Sequence, residues 1–227
     1  MAGGLISLDD ARARLLALAK PRPATSLPLH QTTGLVLAEP LTAQRNQPAA
    51  DLSAMDGYAV RSADLPGPWR TIGASAAGRP FAGVIGAGEA ARISTGAIIP
   101  AGADCVVVQE DVRRDGDMVT LTGDGPPSPG THIRRLGHDF ASGSVLAGAG
   151  TSIDARLIAL AAMAGRGALA VHPRPRIAIV STGDELVPPG APLPSAAHIP
   201  ASNGVMLASM LAPFPVDLQV PELLPDD

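Results

Sequence analysis

The amino-acid sequence predicts a multidomain protein of mixed α+β and α/β class, and three observations predict it. Helical periodicity occurs near the N-terminus and again around residues 154–164. Short strand-like segments separated by Gly, Pro and Asp fill about residues 50–140, and a strand, loop, helix and strand follow Pro175. The predicted domains are a discontinuous helical and extended domain (1–48 plus 141–172), a small β-rich domain (49–140) and an incomplete α/β domain (173–227).

The first predicted element is a helix that begins after Ser7. The Ser7 hydroxyl can cap its first turn, with Asp10 interacting in return, and the helix is expected to stop before Pro21. Its apolar positions share one face and are Leu8, Ala11, Leu15 and Leu18. A shorter helical turn is predicted around 34–39.

The pattern in the middle of the chain predicts strands, followed by a second helix. The predicted strands are Tyr58–Val60, Ala91–Ile93, Asp104–Gln109 and Met118–Leu121. The second helix is predicted from Asp154 to Ala164, with Ser152 as its cap and Gly165 as its end.

The last segment predicts one β-α-β unit. Ile177–Val180 is wholly apolar, as in a strand buried on both faces, and the polar loop Ser181–Glu185 follows it directly. A helix capped by Ser202 and a second strand at Val216–Val220 complete the unit. One pair of parallel strands with one helix cannot cover both faces of a sheet, so this domain is expected to be incomplete.

Asp56 stands directly before Gly57, in the segment that holds the chain's only tyrosine. An Asp-Gly pair can place a glycine with positive φ in a tight turn, and the apolar residues after it would hold the Asp56 carboxylate in a fixed position. This pattern indicates a ligand or metal site, and an ordinary turn is the alternative that the pattern alone leaves open.

Composition excludes several classes of function. The net charge is −4 and no basic block is present, which argues against general nucleic-acid binding. Cys105 is the single cysteine, so it cannot form an internal disulfide, and its apolar neighbours predict a buried core position. The five histidines lack zinc-ligand spacing. No apolar segment is long enough to span a membrane, and a cytoplasmic location is therefore expected.

Five motifs occur in a particular order along the chain. They are Ser53–Val60, Ser94–Asp104, Val107–Glu110, Ile133–Asp139 and Ser181–Leu186. Together they resemble the molybdopterin molybdenumtransferase family, which includes the E domain of gephyrin. The resemblance covers nearly all of the chain but only the front part of the usual family protein, and it ends inside the third, molybdopterin-binding-like domain.

The resemblance implies a reaction and its components. The family inserts molybdate into adenylylated molybdopterin with the help of Mg²⁺ and releases AMP. It implies a homodimer whose active cleft lies between the β domain of one subunit and the third domain of the other, and a molybdopterin adenylyltransferase as a partner. Neither nucleic acid nor membrane is expected as a partner.

The resemblance also implies roles for individual residues. The residues implied to be catalytic are Asp56, Glu185 and Asp139. The implied metal ligands are Asp56, Glu185, Asp184 and Glu110. The implied substrate contacts are Thr95, Asp184, Arg134, Arg135, Ser202 and Asn203. Plainer readings stay open: Thr95 as a turn cap, Arg134 and Arg135 as a solvated pair, and Glu110 as the polar exit of a strand.

One departure from the family pattern concerns the third domain. The family usually has Asp-Ser-Asn where this chain has Ala201-Ser202-Asn203, so an expected acidic group is missing. Two alternative functions stay open: a non-catalytic binding or scaffold protein, by likeness to gephyrin, and a different metal-dependent phosphoanhydride hydrolase that uses the same acidic loops.

Overall fold

The computed structural model describes residues 6–220 and 222–226. Within these residues the helices are α1 (Leu8–Leu18), α2 (Ala155–Met163) and α3 (Ser202–Leu211). Single 3-10 turns lie at Leu29–Gln31, Ser62–Asp64 and Gln109–Asp111. None of the helices described has the length and apolar character needed to cross a membrane.

The strands are short and numerous. In chain order they are β1 (Thr25–Pro28), β2 (Val36–Leu37), β3 (Leu41–Thr42), β4 (Leu52–Ser53), β5 (Gly57–Val60), β6 (Trp69–Ser75), β7 (Glu89–Ile93), β8 (Cys105–Val108), β9 (Val112–Asp115), β10 (Met118–Leu121), β11 (Ile133–Arg134), β12 (Val145–Ala147), β13 (Ala168–His172), β14 (Arg176–Ile177), β15 (Val180–Thr182), β16 (Leu186–Val187), β17 (Ile199–Pro200), β18 (Asp217–Leu218) and β19 (Glu222–Leu224).

The chain forms two compact units. The first unit comprises Met1–Leu41, Leu146–Ala162 and Gly167–Asp227, and the second comprises Thr42–Val145 and Met163–Arg166. The second unit contains the whole segment 49–140 for which the sequence predicts a β-rich domain. The division into three domains stays a prediction.

A six-stranded sheet organises the second unit, in the order β8-β5-β7-β6-β10-β9. β5 lies between β7 and β8 and is antiparallel to both. Its side chains alternate between two buried clusters, with Tyr58 and Val60 in one and Ala59 in the other. The predicted strands at 58–60, 91–93 and 118–121 are confirmed within β5, β7 and β10, and the fourth is shorter than predicted, at β8.

Cys105 is fully buried in the first of these clusters, as predicted. Burial raises the pKa of its thiol to about 12, and the neighbouring Asp104 carboxylate acts in the same direction. The thiol is therefore protonated and unreactive at neutral pH.

Gly57 corrects the prediction about the Asp-Gly pair, because it does not have a positive φ. It is the first residue of β5, and the constraint on it is steric. A Cβ atom at this position would clash with the backbone carbonyl of Val107 on β8. Only glycine lets the two strands approach this closely directly after Asp56.

The first unit has a core between short strands and α2. Its buried members are Leu35, Leu37, Leu41, Ile153, Leu157, Ala161, Leu169 and Val171. The predicted helical turn at 34–39 is wrong: Leu37 is buried and belongs to β2, which pairs with β13. The second helix is confirmed, but Asp154 caps it rather than Ser152, by accepting the Leu157 amide at 2.9 Å.

Helix α1 forms as predicted, and Ser7 Oγ accepts the amide of Asp10 at 3.1 Å. Its apolar face, however, is not packed in the described structure. Leu8, Leu15 and Leu18 are 84%, 68% and 75% exposed. Amphipathic periodicity predicted the helix correctly, although no core covers its apolar face.

The C-terminal segment differs from its prediction in two ways. The predicted strand Ile177–Val180 is divided between β14 and β15, and of its residues only Ile179 is buried. The parallel pairing is confirmed, since β14 pairs with β18 and β15 with β19. Ser202 is the first residue of α3 rather than its cap, and the capping position is Ala201, which offers no side-chain hydrogen bond.

Within the second unit, a charged contact holds the segment after β11 to Asp51, which directly precedes β4. Leu136 donates its amide to Asp51 Oδ1 at 2.8 Å, and Arg135 Nη1 donates to Asp51 Oδ2 at 2.6 Å. The Leu136 amide is the largest cause that lowers the pKa of Asp51, and Arg135 adds to it. A carboxyl with a lowered pKa stabilises the fold above its ordinary value of 3.8, and this contribution is lost as pH falls through the folded-state pKa.

The exchange Asp51→Asn tests this contact. We expect it to lower the free energy of unfolding by about 1 kcal/mol at about pH 7, a value discounted because the pair is partly exposed to solvent. The difference from wild type should shrink at an acidic pH below the lowered folded-state pKa of Asp51, where the wild-type carboxyl is protonated as well. Urea unfolding at both pH values measures it. Asp115→Asn, an exposed strand position without an ion pair among the described residues, is the control. A constant difference across pH would contradict the assignment.

Candidate functional site

The structure brings Asp56 and Thr95 together at one end of the six-stranded sheet. Asp56 Oδ1 accepts the backbone amide of Thr95 at 2.7 Å and the Thr95 hydroxyl at 3.3 Å. Both residues are exposed to solvent. Among the described residues no hydrogen bond reaches Asp56 Oδ2. One carboxylate oxygen is thus fixed in position, while the other makes no hydrogen bond within the described residues and can bind a ligand.

The turn that carries Asp56 is held on both sides. Met55 donates its amide to Ser53 Oγ at 3.3 Å, and the Asp56 carbonyl accepts the amide of Gln109 at 3.0 Å. The Ser-Thr-Gly loop is attached to the same turn, because Gly96 donates its amide to the Ser53 carbonyl at 2.9 Å. These bonds leave the Asp56 carboxylate little freedom to move relative to Thr95.

Glu110 is connected to Asp56 through Gln109, whose backbone amide donates to the Asp56 carbonyl. Gln109 Nε2 donates to Glu110 Oε1 at 3.2 Å, and Gln109 Oε1 accepts from Arg92 Nη2 at 2.6 Å. Sequence reasoning missed both Arg92 and Gln109. The available signal was an arginine inside the apolar segment Glu89–Ile93, a position that favours an internal partner for its charge.

Arg134 and Asp139 are paired with each other. Arg134 Nη2 donates to both oxygens of Asp139, at 2.6 and 2.5 Å. This hydrogen bond is the main cause that lowers the pKa of Asp139. Arg135 is paired with Asp51 as described above. Both guanidinium groups, for which substrate contacts were predicted, bind carboxylates and hold the segment 133–139 in place.

Glu185 belongs to a different group, in the first unit. It lines an open cleft of about 530 Å³ together with Ser181, Thr182, Ser202 and Asn203. Its carboxylate lies over Gly183, which has a φ of 150°, and a Cβ at that position would fall within 3 Å of the carboxylate oxygens. A side chain at position 183 would therefore require the flexible carboxylate end of Glu185 to move.

Asp184 is not part of this cleft. Its Oδ1 accepts the backbone amide of Asp226 at 3.3 Å, and the residue lines a separate surface with Leu224 and Pro225. Neighbouring positions in the loop thus direct their carboxylates to different places. The structure groups Glu185, Ser202 and Asn203, but it does not bring Asp184 to them.

The predicted metal ligands do not converge within one cluster. Across residues 6–220 and 222–226, no three or more His, Cys, Asp or Glu side chains form a group that could hold a metal ion. Asp56 and Glu110 belong to the second unit, and Asp184 and Glu185 belong to the first. Each unit supplies oxygen donors of the type that Mg²⁺ prefers, without a complete set of its own.

Known proteins resemble this chain along most of its length. A protein named molybdopterin molybdenumtransferase from Haemophilus influenzae is 37% identical over 194 residues, which cover 84% of this chain and 48% of that protein. A molybdopterin molybdenumtransferase 2 from Mycobacterium tuberculosis is 39% identical over 195 residues, which cover 83% of this chain and 47% of that protein. The chain therefore spans about half the length of these curated relatives.

Solved structures agree with the sequence comparison. The crystal structure of a molybdopterin biosynthesis MoeA protein from Pyrococcus horikoshii superposes with a TM-score of 0.85 at 30% identity, over 99% of this chain and 58% of that one. The fold is thus MoeA-like, with a β-rich part and few helices. The model of the MoeA N-terminal region (domain I and II) matches residues 6–165, well over half of the chain. On this match, the chain belongs to the family of MoeA N-terminal regions, domains I and II.

Proposed function

We propose that this chain is part of a molybdopterin molybdenumtransferase that inserts molybdate into adenylylated molybdopterin and releases AMP. The observation that carries the proposal is the exposed Asp56 carboxylate, held through one oxygen by the Thr95 amide at 2.7 Å, in a member of the MoeA family. The names of the relatives supply the substrate class, molybdopterin.

The chemistry of AMP release explains why acidic side chains suit this site. Cleaving a phosphoanhydride builds negative charge on phosphate oxygens, which a bare carboxylate would repel. Mg²⁺, when bound, neutralises this charge and orients the phosphates. Asp56 Oδ2 offers a hard oxygen ligand, and Thr95 keeps the other oxygen from rotating. We assign to Asp56 the binding of this cation.

Glu185 is proposed as the second acidic residue of the reaction. Its carboxylate lines a cleft that also contains the hydroxyl of Ser202 and the amide of Asn203, groups that can donate hydrogen bonds to an anionic substrate. Asp184 points elsewhere and is the weakest of the proposed ligands. The cleft shared between subunits stays a prediction.

The contacts of Arg134, Arg135 and Asp139 support a role in positioning their segment rather than direct contact with substrate. Each arginine is bound to a carboxylate, so contact with a phosphate would use its remaining N–H groups or require the ion pair to open. Asp139, whose pKa is lowered by Arg134, stays ionised and is suited to hold Arg134 in place.

A homodimer belongs to this proposal, supported by helix α1. Leu8, Leu15 and Leu18 form an exposed apolar face on that helix. Exposing such a face to water is unfavourable in free energy. A second copy of the chain is the occupant that we propose for it. A molybdopterin adenylyltransferase as partner and a cytoplasmic location complete the proposal, and a lone buried thiol is compatible with a reducing compartment.

A binding protein without catalytic activity is the second candidate, and Ala201 favours it. This residue occupies the capping position of α3 without any side-chain oxygen, and it lines the same cleft as Glu185. A missing carboxylate at such a position removes a cation ligand while leaving a cleft that can still bind a substrate.

Release of AMP tests the function. We expect a fusion of this chain with the second half of the Haemophilus influenzae relative to release AMP from adenylylated molybdopterin when both molybdate and Mg²⁺ are present, as measured by chromatography. Release that needs Mg²⁺ but ignores molybdate would identify a hydrolase instead. Binding of the pterin without any AMP release would contradict the enzyme and favour the binding protein.

The exchange Asp56→Asn tests the proposed ligand. The amide keeps an oxygen for the Thr95 hydrogen bond but removes the charge, so AMP release by the fusion should fall about 100-fold or more while the melting temperature stays unchanged. Kinetics and thermal unfolding measure the two effects, and Asp115→Asn is the control. Loss of activity in proportion to loss of stability would contradict a role in the site.

Substitution on α1 tests the dimer. The double exchange of Leu15→Glu and Leu18→Glu should weaken dimerisation about tenfold or more by placing charges in an apolar interface. Arg12→Gln on the same helix should have little effect. Sedimentation velocity over a concentration series measures the association, and a wild-type protein that stays monomeric throughout would contradict the proposal.

A further inference from the structure

Arg92 is a partly buried arginine at the centre of the sheet in the second unit, on β7 and directly opposite Tyr58 of β5. Its Nη1 donates to the carbonyl of Gly57 at 2.7 Å and to that of Ile93 at 3.2 Å. The Cζ atom lies 5.4 Å from the centre of the Tyr58 ring, within the range of a cation–π interaction. One end of the guanidinium therefore ties β5 to β7.

The other end of the guanidinium reaches the segment after β8. Arg92 Nη2 donates to Gln109 Oε1 at 2.6 Å. The backbone amide of Gln109 in turn donates to the carbonyl of Asp56 at 3.0 Å, and its side-chain amide donates to Glu110. The Arg92 side chain thus contacts two backbone carbonyls and the side chain of Gln109, in three segments that meet at the candidate site.

Each of these contacts lies close in sequence to a site residue. Gly57 follows Asp56, Ile93 stands two positions before Thr95, and Gln109 precedes Glu110. A planar guanidinium can satisfy acceptors in two directions at once, which a lysine ammonium on a flexible stem does not reproduce. The position of Asp56 relative to Thr95 depends on the spacing of the same strands.

We propose that Arg92 is a positioning residue, which fixes the Asp56 carboxylate against Thr95 and orients Glu110 through Gln109. Arg92 is assigned no contact with the substrate. The consequence for AMP release rests on the proposed function, whereas the geometric part does not.

Amide hydrogen exchange tests the geometric part on the chain as it is. The amides of Thr95 and Gln109 both donate to Asp56 and are the reporters. The amide of Ser62, which donates to Asp104 Oδ1 at 2.6 Å just beyond the other end of β5, is the internal control. In Arg92→Gln we expect about tenfold faster exchange at both reporters and a change within about twofold at Ser62.

Two further variants sharpen this test. Arg92→Lys should give intermediate exchange rates at the reporters, because a single ammonium nitrogen replaces the two guanidinium nitrogens that make these contacts. Arg70→Gln removes a solvent-exposed ion pair with Glu89 from the same sheet and should leave the reporters unchanged. Equal acceleration at Ser62 and the reporters would show a merely structural role and overturn the proposal, as would unchanged exchange at Thr95.

AMP release by the fusion protein tests the consequence for the reaction. In Arg92→Gln the kcat should fall about tenfold or more with little change in KM, and Arg92→Lys should recover part of it. An unchanged kcat together with faster exchange at Thr95 would overturn the role of Arg92 in the reaction. Failure of the wild-type fusion to release AMP would count against the proposed function alone, because the exchange experiment does not depend on activity.

Discussion

The close approach of β5 to β8 at Gly57 is the constraint on which the candidate site depends. A side chain at that position would clash with the carbonyl of Val107, so only glycine allows the strands to pair directly behind Asp56. The pairing brings Gln109 to the Asp56 carbonyl, and the pairing of β5 with β7 brings Thr95 to its carboxylate. An acidic side chain on an exposed turn becomes a fixed ligand because the strands behind it cannot shift.

Charged residues in this protein divide into those that support the structure and those that remain available to a ligand. Asp51, Asp139 and their arginine partners form short ion pairs that fix the segment 133–139, and the lowered pKa values of both carboxyls reflect these contacts. Asp56 Oδ2 and the Glu185 carboxylate have no such partners among the described residues. Sequence alone does not distinguish the paired carboxylates from those available to a ligand, because both kinds occur in polar motifs. They differ in whether the fold places an arginine beside them.

The first unit exposes more apolar surface than the second. The apolar faces of α1 and α3 are largely open to solvent, including Leu15 at 68% and Met210 at 62%. In the second unit, by contrast, the sheet buries Trp69, Val60 and Val107 completely. The second unit thus holds Asp56 on a well-packed sheet of six strands. Glu185, by contrast, lies between β15 and β16, each of which belongs to a sheet of only two strands.

The sequence by itself determined the helices, most strands of the β-rich segment and the motifs that lead to the MoeA family, because periodicity, capping residues and turn residues are local signals. It predicted burial correctly at Cys105 but not for the last apolar segment. Ile177–Val180 reads as a core strand, yet only Ile179 is buried, since burial depends on what packs against the strand. Nor could it assign partners to Arg92, Arg134 and Arg135, whose acceptors lie on other strands or loops. Only the tertiary structure decided that Asp184 and Glu185 diverge and that Gly57 is needed for space rather than for a turn, because both depend on atoms far away in the chain.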